Sequence, residues 1–241
     1  LKIIHYIERS MMDSNAGSVG IVTAQDFSFG HNGEEPLLLD CGKTLGPVNI
    51  RFETYGELNS GKNNAILLLH ALSGDAHAAG FHSDTDPKPG WWDDMVGPGK
   101  AFDTSKYFVV CSNIIGGCSG STGPRSLNPV SGKRYNLDFP VITIGDMVRA
   151  QHRLMLHLGI NKWLAISGGS MGGMQALQWA VDYPDAVGGV IAIATTPKIS
   201  PQGIAFNWVG REAIKNDPNW INGNYEDKVP EQGLATARML A

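Results

Sequence analysis

The chain has 241 residues, of which 42% are hydrophobic and 17% charged, with a formal net charge of −4. A chain of this length buries roughly 70–75% of its unfolded surface, and ample apolar content with little net charge excludes a disordered polymer. The mild acidity also excludes an overall basic footprint for nucleic acid or an anionic membrane, which leaves a small soluble substrate as the expected partner.

Residues 1–20 mix acid, base and histidine into their apolar stretches and lack the long hydrophobic region of a secretion signal. Residues 1–35 are therefore expected to form a loosely attached arm. Residues 48–55 alternate well enough for a strand half exposed at a sheet edge. Residues 65–70 are a continuous apolar run, as a strand buried on both faces requires, and 107–111, 163–167 and 187–194 read as further strands of that kind. The stretch 74–132, rich in Gly, Pro, Ser and His, is long enough to supply functional loops at one end of a sheet.

The spacing predicts a helix over 143–158 with Met147, Leu154, Met155 and Leu158 on one face, Thr143 and Asp146 in capping-box relation, and Gly159 past its end. A second helix follows Ser170, aligns Met174, Leu177 and Val181, and stops before Pro184. Strands alternating with helices imply an α/β fold: a mostly parallel sheet with helices on both faces. Beyond Thr196 no strand is evident, and 204–215 and 233–240 read as the first helices of a cap. The expected organisation is an arm over 1–35, a core over 36–197 and a cap from 198 to 241. No run approaches the roughly 20 apolar residues of a bilayer span, so no membrane is expected. Three scattered cysteines, Cys41, Cys111 and Cys118, argue against a disulfide framework and for a cytoplasmic location.

The sharpest chemical signal is Ser167-Gly168-Gly169-Ser170-Met171-Gly172-Gly173. Gly168, Ser170 and Gly172 satisfy G-x-S-x-G, with an apolar strand before and a helix after, the context of a nucleophile elbow. A sharp reversal at Ser170 forces strained backbone angles, and flanking glycines, Gly173 included, remove side chains that would collide with strand and helix. Ser170 is the expected nucleophile. The helix beginning there aims the Met171 N–H and a positive dipole end at a developing oxyanion. The second oxyanion donor is expected from the loop His70-Ala71-Leu72-Ser73-Gly74, with Leu72 favoured and Ala71 the alternative. His70 reads as a hydrogen-bonding residue at a strand end rather than a proton carrier.

Around these residues the chain resembles the homoserine O-acetyltransferases of the α/β-hydrolase fold. The likeness runs in that family's order through His70-Ala71-Leu72-Ser73-Gly74-Asp75-Ala76-His77, Gly90-Trp91-Trp92-Asp93, Gly97 to Thr104, Asn113 to Gly117, Gly120 to Pro124, Phe139-Pro140 and Gly169 to Gln175. The resemblance implies transfer of an acetyl group from acetyl-CoA to L-homoserine through an acyl-Ser170 intermediate, in methionine biosynthesis. It implies no bound cofactor and no metal, and a homodimer. It matches Arg238 to the arginine that holds the amino acid's carboxylate, a task for a planar bidentate donor. Ser73 stands where the family usually has threonine near the substrate. Homoserine O-succinyl transfer, serine O-acetyl transfer, a serine esterase, and a catalytically inactive binding module are the rival readings.

In this fold the triad runs Ser, Asp, His along the chain, yet His5, His31, His70, His77, His82, His152 and His157 all precede Ser170. The resemblance places the triad Asp and His, and the last sheet strands, beyond residue 241. Without that base Ser170 is a weak nucleophile, so the 241-residue chain is expected to show little turnover. Asp182, Asp185, Asp217 and Asp227 sit in turn and helix contexts that fit capping or solvated roles. His70, His77, His82, Asp75 and Asp84 match no metal-ligand spacing. Residues 116–123 lack the Gly-Lys-Ser/Thr ending of a phosphate loop and read as a wall of the active-site mouth. Cys118 reads as an inert thiol, Trp91 and Trp92 as packing or tunnel residues, and Arg125, Lys133 and Arg134 as surface cations.

Overall fold

The computed structural model describes residues 17–31, 33–225 and 228–240. Two compact units divide the chain, residues 1–122 with 141–195 and residues 123–140 with 196–241. The expected boundaries at 35 and 197 divide it differently, because 123–140 groups with the C-terminal stretch.

The first unit is built on a six-stranded sheet in the order β1-β4-β6-β5-β7-β8. Its members are β1 (Gln25–Phe29), β4 (Val48–Tyr55), β5 (Ala65–Leu69), β6 (Phe108–Ser112), β7 (Ala165–Gly169) and β8 (Val190–Ile193), while β2 (Leu37–Leu38) and β3 (Thr44–Leu45) pair separately. The pairs β5–β6, β5–β7 and β7–β8 are parallel; β1–β4 and β4–β6 are antiparallel. Every residue of β5 is buried, as a continuous Ala-Ile-Leu-Leu-Leu run at the sheet centre demands.

Two strand expectations need correction. Residues 48–55 are not an edge: β1, drawn from the stretch expected to be an arm, covers β4 in register from Gln25 opposite Phe52 to Phe29 opposite Val48. The partly polar alternation of β4 reflects half-buried Asn49 and exposed Arg51, which meet Asp26 of β1 on a face that water still reaches. The 187–194 run narrows to β8, which has β7 as its one partner among the described residues, and its Ile191 and Ile193 are exposed.

Helix α1 (Ile144–His157) opens with the expected capping box, the Thr143 N–H donating to Asp146 Oδ2 and the Asp146 N–H to Thr143 Oγ1. Its buried face includes Val148, Gln151, Leu154 and Met155, whereas Met147 and Leu158 are half-buried. Helix α2 (Met171–Asp182) differs more: Gly172, Gly173, Gln175, Ala176 and Trp179 face inward, and Val181 is exposed. A chain of hydrogen bonds explains the choice. The Trp179 Nε1–H donates to Gln151 Oε1 at 2.9 Å and Gln151 Nε2 to Gln175 Oε1 at 2.7 Å, joining α2 to α1 through buried polar groups that satisfy one another.

In the second unit α3 (Pro201–Lys215) packs on α4 (Glu231–Met239). A Cβ at Gly233 would come within 2.5 Å of the Ala213 carbonyl oxygen, so glycine there sets how closely the two helices approach. Asp217 accepts from the N–H groups of Asn219 and Gly233, fastening the start of α4. No described helix is long and apolar enough to cross a membrane.

Candidate active site

Ser170 occupies the single residue between β7 and α2, with φ 55° and ψ −121°. Non-glycine residues rarely hold a positive φ, and one that does stores strain that its surroundings must hold in place. Here the restraints are explicit. The Ser170 N–H donates to the Ile193 carbonyl of β8 at 3.0 Å, and its own carbonyl accepts the Thr195 hydroxyl at 2.8 Å and the Met174 N–H at 3.1 Å. The side chain is exposed and makes no capping bond, so its hydroxyl is presented to solvent above the end of the sheet.

The glycines follow from the tightness of the bend. A Cβ on Gly172 would lie 2.0 Å from the Leu69 carbonyl oxygen, and one on Gly168 would lie 2.5 Å from the Gly172 carbonyl carbon. One on Gly173 would lie 2.6 Å from Thr195 Cγ2. The start of α2 thus rests directly on the last residue of β5. The first N–H groups of the helix, Met171 foremost, have no intrahelical acceptor, and Ser170 does not cap them. They remain available to an anion.

Immediately after β5 the chain turns through residues 70–74, closed by the Gly74 N–H donating to the Ala71 carbonyl at 2.9 Å. Leu72 and Ser73 are exposed at the tip of this turn. His70 is buried, with Nδ1 donating to the Ala71 carbonyl at 2.8 Å and Nε2 buried without a partner. Burial holds its pKa below the usual imidazole value, which leaves the neutral Nδ1–H form bracing the turn.

A small cavity of about 50 Å³ lies against this loop, lined by His70, Leu72, Asn113, Ile114, Cys118 and Ser119 among others. Asn113 holds its two sides, accepting the Ala76 N–H at 2.8 Å and donating to the Ser119 carbonyl at 2.6 Å. The glycine-rich stretch 116–123 is fixed to β4, with the Asn49 N–H bonded to Thr122 Oγ1 and the Arg51 N–H to Ser121 Oγ. Trp91 spans toward the same loop, donating Nε1–H to the Asp75 carbonyl and stacking on Trp92.

Ser170, Met171, the elbow glycines and the 70–74 turn therefore belong to one unit. Arg238 does not: it is exposed in the last turn of α4, in the second unit. Of the acids after the elbow, Asp182 accepts from Gln178 Nε2, and main-chain donors lower the pKa of Asp217; Asp227 lies outside the described residues. Two features were not legible in the sequence. Thr195, which clamps the Ser170 carbonyl, carries no motif. Glu53, buried beneath His77 and His82, is separated from them by more than twenty residues of chain.

An α/β-hydrolase fold family matches residues 64–237. The chain is 56% identical over 225 residues to a homoserine O-acetyltransferase of Carboxydothermus hydrogenoformans, covering 93% of this chain and 58% of that protein. It is 55% identical over 225 residues to a homoserine O-succinyltransferase of Halothiobacillus neapolitanus, covering 92% of this chain and 55% of that protein. It spans, that is, less than two thirds of the curated relatives it matches. Among solved structures, homoserine O-acetyltransferase from Bacillus anthracis superposes with a TM-score of 0.84 at 38% identity, covering 91% of this chain and 59% of that one. Esterase E22 superposes with a TM-score of 0.83 at 38% identity, covering 91% and 60%.

Proposed function

The chain belongs to the α/β-hydrolase fold family, and on that premise we propose that it carries the nucleophile of a homoserine O-acetyltransferase. The observation that supports this most is the strained, exposed Ser170 between β7 and a helix N-terminus, in a chain more than half identical to proteins of that name. Ser170 Oγ attacks the acetyl-CoA carbonyl, the Met171 and Leu72 N–H groups receive the oxyanion, and the CoA thiolate leaves. The homoserine hydroxyl then attacks the acyl-serine, releasing O-acetylhomoserine and restoring Ser170. Splitting the transfer gives two easier steps in place of one hard one.

The acceptor is supported more firmly than the donor, because relatives named for acetyl and for succinyl transfer share homoserine and differ by one per cent in identity to this chain. Arg238 is the proposed carboxylate partner and Ser73 a neighbour of the substrate; a cytoplasmic homodimer acting in methionine biosynthesis completes the reading. The Ser170 proton requires a base, and no histidine follows Ser170 in these 241 residues.

The test is acyl-CoA consumption with and without homoserine, using acetyl-CoA and succinyl-CoA in parallel, by a protein of the relatives' full length that contains these 241 residues, with the 241-residue chain alone as the low-turnover control. Ser170→Ala is expected to reduce homoserine-dependent acetyl-CoA consumption by about 10³-fold or more. Consumption that is equal without homoserine would make the protein an esterase-like hydrolase, and preference for succinyl-CoA would reassign the donor.

A further inference from the structure

Glu53, on β4, is 2% exposed, and a carboxylate so deeply placed must be compensated. Three groups surround it: the Tyr55 hydroxyl at 2.8 Å from Oε2, His77 Nδ1 at 2.9 Å from Oε2, and His82 Nε2 at 2.7 Å from Oε1. The imidazole rings are tilted by 35° to one another with centroids 3.8 Å apart. One ligand atom from each of Glu53, His77 and His82 lies within 4.8 Å of the other two.

We propose that Glu53, His77 and His82 form a binding site for a divalent transition-metal ion of the zinc class. Zinc takes imidazole nitrogen and carboxylate oxygen at about 2.0–2.2 Å, and two histidines with one glutamate are an established three-ligand set for it. Tetrahedral bonds of that length set neighbouring donors roughly 3.3 Å apart, somewhat wider than the 2.9 and 2.7 Å contacts of His77 and His82 with the two carboxylate oxygens, so the imidazoles draw back slightly as the ion replaces the protons held there. His82 is half exposed, leaving a side for a water as fourth ligand.

The frame is already rigid. Glu53 is fixed in the sheet opposite Cys111, and the Tyr55 hydroxyl, which accepts the N–H groups of Ala78 and Ala79, also supports the carboxylate from behind. The His82 N–H donates to Asp86 Oδ2 at 2.7 Å, and Phe81 before it exchanges main-chain bonds with Gly20 and Val22. His77 is the weak member, since its Nε2 is buried without a partner. A ligand lacking that outer hydrogen bond costs about 10–100-fold in affinity, so binding is expected to be weaker than at a zinc site whose histidines are both supported from outside. The bound ion would clip residues 77–82 to β4.

The experiment titrates the metal-free protein with Zn²⁺ by calorimetry and with Co²⁺ by visible absorption. Cys41 and Cys118, both exposed thiols, are changed to serine so that they cannot compete. One equivalent is expected to bind, with a cobalt spectrum of nitrogen and oxygen ligands. Affinity should fall at least tenfold in His82→Ala and in Glu53→Gln, with circular dichroism checking that each variant keeps the parent fold. Failure to bind one equivalent, or equal binding by His82→Ala, overturns the proposal. Neither readout depends on Ser170 or on acyl transfer.

Discussion

The contact between α2 and β5 makes Gly172→Ala a decisive substitution. Alanine inside a helix ordinarily gains about 1 kcal/mol over glycine, so helix propensity alone forecasts a more stable protein. The structure forecasts the opposite. The new Cβ lies 2.0 Å from the Leu69 carbonyl oxygen and 2.7 Å from its carbon, whereas a carbon and a carbonyl oxygen rest about 3.3 Å apart. Roughly 1.3 Å must therefore be opened between the helix and the central strand. Leu69 is buried and paired with Gly168 on β7, so main chain must move, not a flexible side-chain tip. Overpacking a filled core costs about 1–3 kcal/mol; at the upper end, less the helix gain, the net loss is about 2 kcal/mol. With a urea m-value near 3 kcal/mol/M, the unfolding midpoint falls by roughly 0.7 M. Gly169→Ala is the matched control: its nearest neighbour is the Ile193 carbonyl oxygen at 3.9 Å, so it should stay within about 0.5 kcal/mol of the parent. A Gly172→Ala midpoint equal to the parent's, or an equal fall in Gly169→Ala, would refute the steric account.

Two further outcomes are expected. Gln151→Leu strips partners from Trp179 Nε1 and from Gln175 Oε1; two buried orphans at about 1–3 kcal/mol each predict a loss of roughly 2–6 kcal/mol in urea unfolding, and a loss below about 1 kcal/mol would mean that water replaces the amide. His70 has its pKa lowered by burial, so the unfolded chain binds its proton more readily than the folded one. Its contribution to stability is then present above the ordinary histidine value near about 6.5 and is lost as pH falls through the lowered folded value. Urea midpoints taken over that fall should drop less steeply in His70→Asn, and a profile identical to the parent's would count against the assignment.

The elbow was legible because its constraint is local: a bend this tight admits only glycine at its flanks, and G-x-S-x-G records that need directly. The capping box of α1 was legible for the same reason. The inward face of α2 was not. Apolar periodicity selected Met174, Leu177 and Val181, but small residues and Trp179 allow the helix to sit against β5, and a polar Gln pair supplies the buried contact with α1. Tertiary packing outweighed pattern there. Likewise β1 looked like an arm, because a five-residue edge strand with polar positions identifies itself only by the partner it meets. Glu53 was overlooked because spacing arguments search neighbouring residues, whereas a sheet brings distant ones together.

The interrupted second unit has a consequence for synthesis on the ribosome. Its first piece, Gly123–Pro140, emerges well before its second, Thr196–Ala241, yet Asn136 bonds Asn224 across the two pieces. At about 5–20 residues per second, the early piece waits on the order of several seconds to a quarter of a minute for its mate, held meanwhile by local bonds such as Tyr135 N–H to the Ser126 carbonyl. During that interval Val141–Thr195 is delivered to the other unit, so the elbow emerges from the tunnel before the helical layer that shares its chain has been fully made.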